Sequence, residues 1–179
     1  DMSVYLNCAE EVFGAYGIPV FMDQKRSILL NSFVEYIRSL LAMVQERFTK
    51  NGVFRFLRTG LFGFTNSEVD LLENYVTALG IKGYKRWQEK WVRRSRSVGE
   101  EELELLNHIR VQFVERLEPL LFVLRQRKKS VTDITTALYS FMVQEEIQKK
   151  LKEQEVLFQR EEEQVLAKEY AQIYRIVME

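Results

Sequence analysis

The chain has 179 residues, of which 46% are hydrophobic and 29% charged, and its 26 basic and 26 acidic side chains balance. These values are typical of one soluble domain, or one compact multi-helix unit, and give no overall attraction to nucleic acid or membrane. A single cysteine, Cys8, and a single histidine, His108, exclude an internal disulfide and a thiolate site for zinc or an iron–sulfur cluster. With no apolar run near the roughly 20 residues of a membrane span and no signal peptide before Asp1, we expect a cytoplasmic location.

Helical periodicity begins at the first residues. Residues 2–16 are predicted to form a helix that ends at Gly17, and the proline-containing stretch 18–22 is predicted to be an extended connector or brief strand. A second helix is predicted over 31–48, ended by Asn51-Gly52. Two sets of apolar residues share a face at helical spacing: Val4, Ala9, Val12, Phe13 and Tyr16 in the first helix, and Phe33, Ile37, Leu40, Leu41, Val44 and Phe48, predicted to face the core, in the second.

The middle of the chain alternates short helices with glycine-containing turns. A helix is predicted over 53–58 and is followed by a turn at 59–63. Thr65 and Glu68 have the spacing of a capping box, so a further helix is predicted over 66–79. Three consecutive helices therefore precede residue 80.

The second half is predicted to hold three longer helices. Residues 81–97 have the least regular pattern, and a helix follows over 100–128, which Pro119 is predicted to kink or split. Ser130 or Thr132 is predicted to cap a helix running to residue 153, and the last helix covers 161–179. That helix continues to the last residues without a capping glycine, which indicates part of a longer polypeptide or, alternatively, a native terminal helix that frays. The predicted class is all-α.

The sequence contains no recognisable catalytic or metal-binding motif. A phosphate-binding loop of the type Gly-x-x-x-x-Gly-Lys-Ser/Thr is absent, and the glycine pairs at 60–63 and 80–83 are typical of turns. His108 has no second histidine or cysteine to share a metal with, and Cys8 is predicted to be a small buried hydrophobe. Runs of glutamate such as 100–102 are typical of helix N-termini and solvated faces. We therefore predict no catalytic residue and no metal site.

One stretch combines basic and aromatic residues. Between residues 82 and 96 there are seven basic side chains and one acid, Glu89, interleaved with Tyr84, Trp87 and Trp91. Basic groups can neutralise phosphates while aromatic rings stack on bases, so the stretch is a candidate for nucleic-acid or partner contact. Alternatively, both tryptophans anchor the core and the cations form the wet side of a connector. The candidate contact residues are Lys82, Lys85, Arg86, Trp87, Lys90, Trp91, Arg93 and Arg94.

Several motifs, in a fixed order, are similar to those of one protein family. They are Ile18–Arg26 (IPVFMDQKR), Val53–Leu61 (VFRFLRTGL), Glu68–Tyr75 (EVDLLENY), and Ala78–Gly83 (ALGIKG) followed by Trp87, with weaker similarity at Ala137–Phe141 and Glu169–Gln172. Through them the chain resembles the AddB/RexB-type subunit of bacterial ATP-dependent helicase–nucleases, in the UvrD-like helicase superfamily. Arg58 departs from the lysine that this family often has, with the charge kept.

The resemblance implies a fragment of a larger subunit that pairs with an AddA-type helicase–nuclease and processes double-strand breaks for homologous recombination. The family uses ATP, Mg²⁺ and a 4Fe–4S cluster, but its nucleotide loop, nuclease carboxylates and cluster cysteines match no position here. The implied fold is the 2B-like helical insertion, with residues 1–30 as an initial helix and connector and 31–179 as the insertion. The expected function is non-catalytic, contributing contacts to DNA or to the partner protein, or alternatively a purely structural interaction module without DNA contact.

Overall fold

The computed structural model describes residues 2–19, 27–95 and 98–178, and within these ranges every regular element is helical. The α-helices are α1 Met2–Ala15, α2 Ser32–Gln45, α3 Lys50–Leu57, α4 Asn66–Leu79, α5 Tyr84–Gln88, α6 Glu100–Arg125, α7 Val131–Gln144, α8 Ile147–Arg160 and α9 Gln164–Met178. A 3₁₀ turn, Ile28–Leu30, precedes α2. The all-α prediction is confirmed. Most of the predicted connector at 18–22, and most of the Ile18–Arg26 motif, lies outside the described residues.

The predicted stop at Asn51-Gly52 is wrong, because both residues lie in the first turn of α3. Gly52 is buried, and a Cβ atom there would lie only 3.3 Å from the Cα atom of Met43 in α2. The missing side chain thus permits close approach of two helices rather than a helix end. The chain turns earlier, at Arg47 and Phe48, where φ is +56° and +59° without a glycine.

Two boundaries in the second half also differ from the prediction. Helix α6 is not split at Pro119; it runs unbroken from Glu100 to Arg125. The helix predicted to reach residue 153 is instead two helices, α7 and α8, separated at Glu145 and Glu146, where Glu146 has φ +51°. Ser130, rather than Thr132, is the N-cap of α7, and its Oγ atom accepts a hydrogen bond from the Asp133 amide at 3.1 Å.

The core is aromatic and is built chiefly from α2 to α7, with smaller contributions from α8 and α9. Its largest fully buried side chains are Trp87, Tyr36, Tyr75, Phe33, Phe56, Phe62 and Phe113. Leu41, predicted to face the core, is 38% exposed. In α1 the side chains of Tyr5, Val12 and Phe13 are exposed, and so is Cys8, against the prediction that it is buried.

The start of α2 lies beside α9. Asn31, the N-cap of α2, donates from Nδ2 to Oε1 of Glu169 at 2.6 Å, and the hydroxyls of Ser32 and Tyr170 are hydrogen-bonded at 2.8 Å. The 3₁₀ turn and α9 are therefore neighbours although more than 130 positions separate these partners. None of the described helices is both long and apolar enough to cross a bilayer.

A basic segment clamped to helix α6

Residues 82–94, here called the basic segment, contain α5 and an extended stretch that lies along α6. Gly83 precedes α5 with φ +80° and ψ +145°, a conformation that is almost restricted to glycine. The Gly83 amide donates to the carbonyl of Phe48 at 3.2 Å. The segment therefore begins at a fixed point against the turn between α2 and α3.

The two tryptophans of the basic segment point into the core. Trp87 is 0% exposed and Trp91 is 7% exposed, and their ring centroids lie 5.3 Å apart in an edge-to-face arrangement. Trp87 also packs against Phe113 of α6 at 4.8 Å, and Trp91 against Tyr75 of α4 at 5.1 Å. Neither ring offers a free face to a nucleic-acid base in this structure, so the interpretation of both tryptophans as core anchors describes their position.

Arg110 of α6 holds the basic segment from below. Its guanidinium is 6% exposed and donates from Nη1 to the carbonyls of Trp87 at 2.7 Å and Gln88 at 3.2 Å. Its Nε atom donates to Oδ1 of Asn107 at 3.2 Å. No carboxylate among the described residues forms an ion pair with Arg110, and burial lowers the pKa of the guanidinium. Its charge is therefore compensated by peptide and amide dipoles.

Two further side chains bind the backbone beyond α5. Asn107 accepts from the Trp91 amide at 2.9 Å and donates to the Trp91 carbonyl at 2.8 Å, as a neighbouring strand would. The Tyr75 hydroxyl donates to the Arg93 carbonyl at 2.6 Å. The Trp91 ring nitrogen donates to the Arg86 carbonyl at 2.9 Å. Backbone groups from residue 86 to residue 93 are thus tied to the helices beneath them.

The cationic side chains of the basic segment face solvent. All six predicted basic contact residues are exposed: Lys82, Lys85, Arg86, Lys90, Arg93 and Arg94. Arg86 pairs with Glu89 and Arg94 with Glu100, each at 3.0 Å, whereas the other four have no ion-pair partner among the described residues. Arg96 lies outside those residues. The sequence thus identified the cations, while the helices decide that they point outward.

Sequence reasoning missed a second charged cluster. Arg116 of α6 donates from Nε to Oε1 of Glu145 at 2.9 Å and from Nη2 to the second carboxylate oxygen and to the Phe62 carbonyl. The Glu145 side chain is only 1% exposed. Lys150 lies 3.8 Å from Glu145 and donates to the Leu61 carbonyl at 2.8 Å. The partners are 29 or more positions from Arg116, so no local spacing could have predicted the cluster.

The remaining candidates for chemistry are isolated. His108 is exposed and hydrogen-bonded to Gln112 at 2.8 Å. Within the ranges 2–19, 27–95 and 98–178, no group of three or more His, Cys, Asp or Glu side chains is placed to hold a metal ion. What the described part of the chain offers is a charged outer surface on a rigid support.

The fold and the site define an all-helical scaffold with a basic segment on its surface. No protein-family model matches the chain. It is 38% identical over 99% of its length to the B-type subunit of the ATP-dependent helicase/deoxyribonuclease of Lachnoclostridium phytofermentans. The equally named subunits from Clostridium novyi and Clostridium botulinum strain Loch Maree are 34% and 36% identical over 100% of the chain.

These matches cover 15–16% of each relative's length. The chain therefore corresponds, essentially from end to end, to one segment of these longer proteins. The resemblance to AddB-type sequences is confirmed, and the chain belongs to the family of B-type subunits of ATP-dependent helicase/deoxyribonucleases.

Proposed function

We propose that the chain is a non-catalytic helical region of an AddB-type helicase/deoxyribonuclease subunit and that its basic segment contacts DNA. The observation that carries this proposal is the one-sided arrangement of the segment. Its tryptophans are buried, its backbone is tied to α6 and α4, and six cations are exposed. In a chain whose formal net charge is zero, such a local excess is a specific feature of this surface.

The mechanism of contact follows from the orientation of the side chains. Lysine and arginine neutralise phosphates and release condensed counterions, which gives affinity without sequence preference. Because four of the six cations have no ion-pair partner among the described residues, they bind phosphate without first breaking an internal salt bridge. DNA contact through this segment thus requires no rearrangement of the fold.

We also propose that the helical body is an insertion within the parent protein, of the 2B-like kind. The support is the adjacency of the 3₁₀ turn before α2 and helix α9, bridged by Asn31 with Glu169 and by Ser32 with Tyr170. A body whose two connections lie side by side can be inserted into another domain without disturbing it. In this proposal residues 1–30 form the initial helix and connector and 31–179 form the insertion.

The activity of the whole parent protein is part of the same proposal. The relatives are named as helicase and deoxyribonuclease subunits, so bond cleavage and ATP use are assigned to regions beyond the 15–16% that the chain matches. An AddA-type partner, ATP, Mg²⁺, a 4Fe–4S cluster, a role in recombinational repair and a cytoplasmic location remain predictions from the resemblance.

A second candidate function is a purely structural interaction module without DNA contact. The observation in its favour is that both tryptophans are core anchors, which removes the stacking platforms expected of a single-strand binder. In this alternative the exposed cations only keep the surface soluble.

Salt-dependent binding distinguishes the two functions. The chain and its variant Lys85→Gln/Lys90→Gln/Arg93→Gln are titrated against a radiolabelled duplex of about three helical turns in filter-binding assays at several salt concentrations. The control is Lys149→Gln/Arg160→Gln/Lys168→Gln, which removes the same charge from exposed positions of α8 and α9. If the proposal is correct, the slope of log affinity against log salt falls by about 2–3 in the first variant, since each phosphate contact contributes about 0.9, and is unchanged in the control. Absence of binding at low salt, or equal slopes in all three proteins, would favour the structural alternative.

A further inference from the structure

Three turns of the chain meet at one end of the helical body. Besides the hydrogen bond from Gly83 to Phe48, the rings of Phe48 and Tyr84 lie 4.8 Å apart. The guanidinium of Arg125, the last residue of α6, lies 3.9 Å from the centre of the Tyr84 ring. These contacts bring together residues 46–50, 82–85 and 125–129, a surface named here the loop end.

The loop end is strongly cationic. Its three stretches contain eight basic residues and one acid, Glu46, which is paired with Arg55 at 3.2 Å. The basic residues are Arg47, Lys50, Lys82, Lys85, Arg125, Arg127, Lys128 and Lys129, of which Lys50 is half-buried and the others are exposed. Lys129 is used locally, donating to the carbonyls of Leu124 and Gln126 at 2.8 and 3.0 Å. The carboxylate of Glu118, which accepts a hydrogen bond from Tyr84, lies beside this surface.

The loop end and the basic segment form one continuous surface along α6. Tyr84 contacts Arg125 at the C-terminal end of α6, and Arg94 pairs with Glu100 at its first residue. The segment therefore runs antiparallel to α6 over most of its 26 residues. At about 1.5 Å per residue this helix is about 39 Å long, which is close to the roughly 34–36 Å of one turn of B-form DNA.

We propose that the loop end and the basic segment together bind the sugar–phosphate backbone of duplex DNA over about one helical turn. The aromatic rings interleaved with these cations, Tyr84, Trp87 and Trp91, are all buried. Binding of single strands relies on exposed rings that stack on bases, whereas duplex binding needs only phosphate neutralisation. This inference rests on the proposed function, which it deepens by naming the form of DNA and by adding the turns at 46–50 and 125–129.

The test removes charge from the two added turns without altering the basic segment. The variant Arg47→Gln/Arg127→Gln/Lys128→Gln is compared with Lys149→Gln/Arg160→Gln/Lys168→Gln on the same duplex and on one of its strands alone. Lys129 is retained because it binds the carbonyls at the end of α6. We expect the loop-end variant to bind duplex at least about tenfold more weakly, with a salt slope reduced by about 2–3, and the control to bind like the unmodified chain.

Each other outcome overturns a defined part of the inference. If the loop-end variant binds duplex normally while Lys85→Gln/Lys90→Gln/Arg93→Gln is weakened, the loop end is not part of the site and the proposed function survives. If the single strand binds as tightly as the duplex, the assignment to duplex DNA is wrong. If poly-L-glutamate displaces the duplex as effectively as unlabelled duplex at equal charge, the surface selects acidic proteins instead. If the unmodified chain binds no DNA at low salt, the proposed function fails together with the inference.

Discussion

Two arginines of α6, six positions apart, hold two different turns of the chain by different means. Arg110 holds the basic segment through the carbonyls of Trp87 and Gln88 and has no carboxylate partner among the described residues. Arg116 holds the glycine-containing turn at 59–63 through the Phe62 carbonyl and is paired with the buried carboxylate of Glu145. One clamp is a cation surrounded by dipoles, and the other is an ion pair.

The difference between the clamps predicts how each fails. Loss of Arg116 leaves a buried negative charge with only Lys150 at 3.8 Å, whereas loss of Arg110 leaves two carbonyls unpaired but no charge. An uncompensated buried charge costs more free energy than an unpaired dipole. The ion-pair clamp therefore contributes more to global stability, and the dipole clamp acts more locally, on the surface proposed to meet DNA.

The largest expected effect is that of Arg116→Met. Because Glu145 is then left buried without its main partner, the free energy of unfolding should fall by about 3 kcal/mol, measured by urea denaturation. The double variant Arg116→Met/Glu145→Met removes both charges and should recover at least half of that loss. A double variant no more stable than Arg116→Met would show that packing, rather than stranded charge, determines the cost.

Arg110→Met should have a smaller and more local effect. We expect the free energy of unfolding to fall by about 2 kcal/mol, because two buried carbonyls lose their donor. Amide hydrogen exchange should accelerate in residues 84–93 well before it accelerates in α8 and α9. Arg55→Met serves as a control, since Arg55 is an exposed arginine in surface ion pairs, and its cost should stay below about 1 kcal/mol. Exchange that accelerates uniformly over all helices would contradict the local role of Arg110.

Gly83→Ala tests whether the start of the basic segment depends on backbone conformation. A Cβ atom at this position meets no heavy atom within 4 Å, so crowding contributes nothing, but φ of +80° with ψ of +145° strains any L-residue. The expected cost is about 1.5 kcal/mol in thermal or urea unfolding. Gly14→Ala, which also meets open space but lies within α1, should cost nothing. Equal effects of the two substitutions would exclude backbone strain as the cause.

The smallest effect concerns a carboxylate that is compensated by local hydrogen bonds instead of a clamp. The backbone amide and the hydroxyl of Ser130 donate to Asp133 at 2.7 and 2.8 Å and lower the pKa of its carboxyl below the usual range. Since the folded pKa is the lower one, the associated stability is present above the ordinary pKa of aspartate and is lost as pH falls through the folded value. Ser130→Ala should raise the Asp133 pKa in an NMR titration, while Thr132→Ala should leave it unchanged.

Local signals predicted the elements that depend on neighbours in sequence. The capping box of Thr65 and Glu68 is present, with the Glu68 amide donating to Thr65 at 3.2 Å and the Thr65 amide donating to Glu68 at 2.8 Å, and α4 begins at Asn66 as predicted. The break between α7 and α8 was not predictable, because it carries neither glycine nor proline. Glu145 there is held by Arg116, and the pairing of distant residues leaves no periodic trace in the sequence.

The candidate site could be predicted only in part for the same reason. Composition alone identified the basic segment, but the orientation of its tryptophans depends on packing against Phe113 and Tyr75. Arg110 and Asn107, which hold the segment in place, look in the sequence like ordinary polar positions of a long helix. The cations at 125–129 are explained in the sequence by the helix dipole, and only the contact between Arg125 and Tyr84 relates them to the basic segment.

The burial of Trp87 and Trp91 gives the molecule an intrinsic optical reporter. They are the only two tryptophans of the chain, and both lie between the proposed DNA surface and α6. Intrinsic fluorescence excited at the indole band therefore originates wholly from this one location. A red shift of the emission maximum marks the moment when the segment lifts from α6 and water reaches the indoles, even while the remaining helices stay folded.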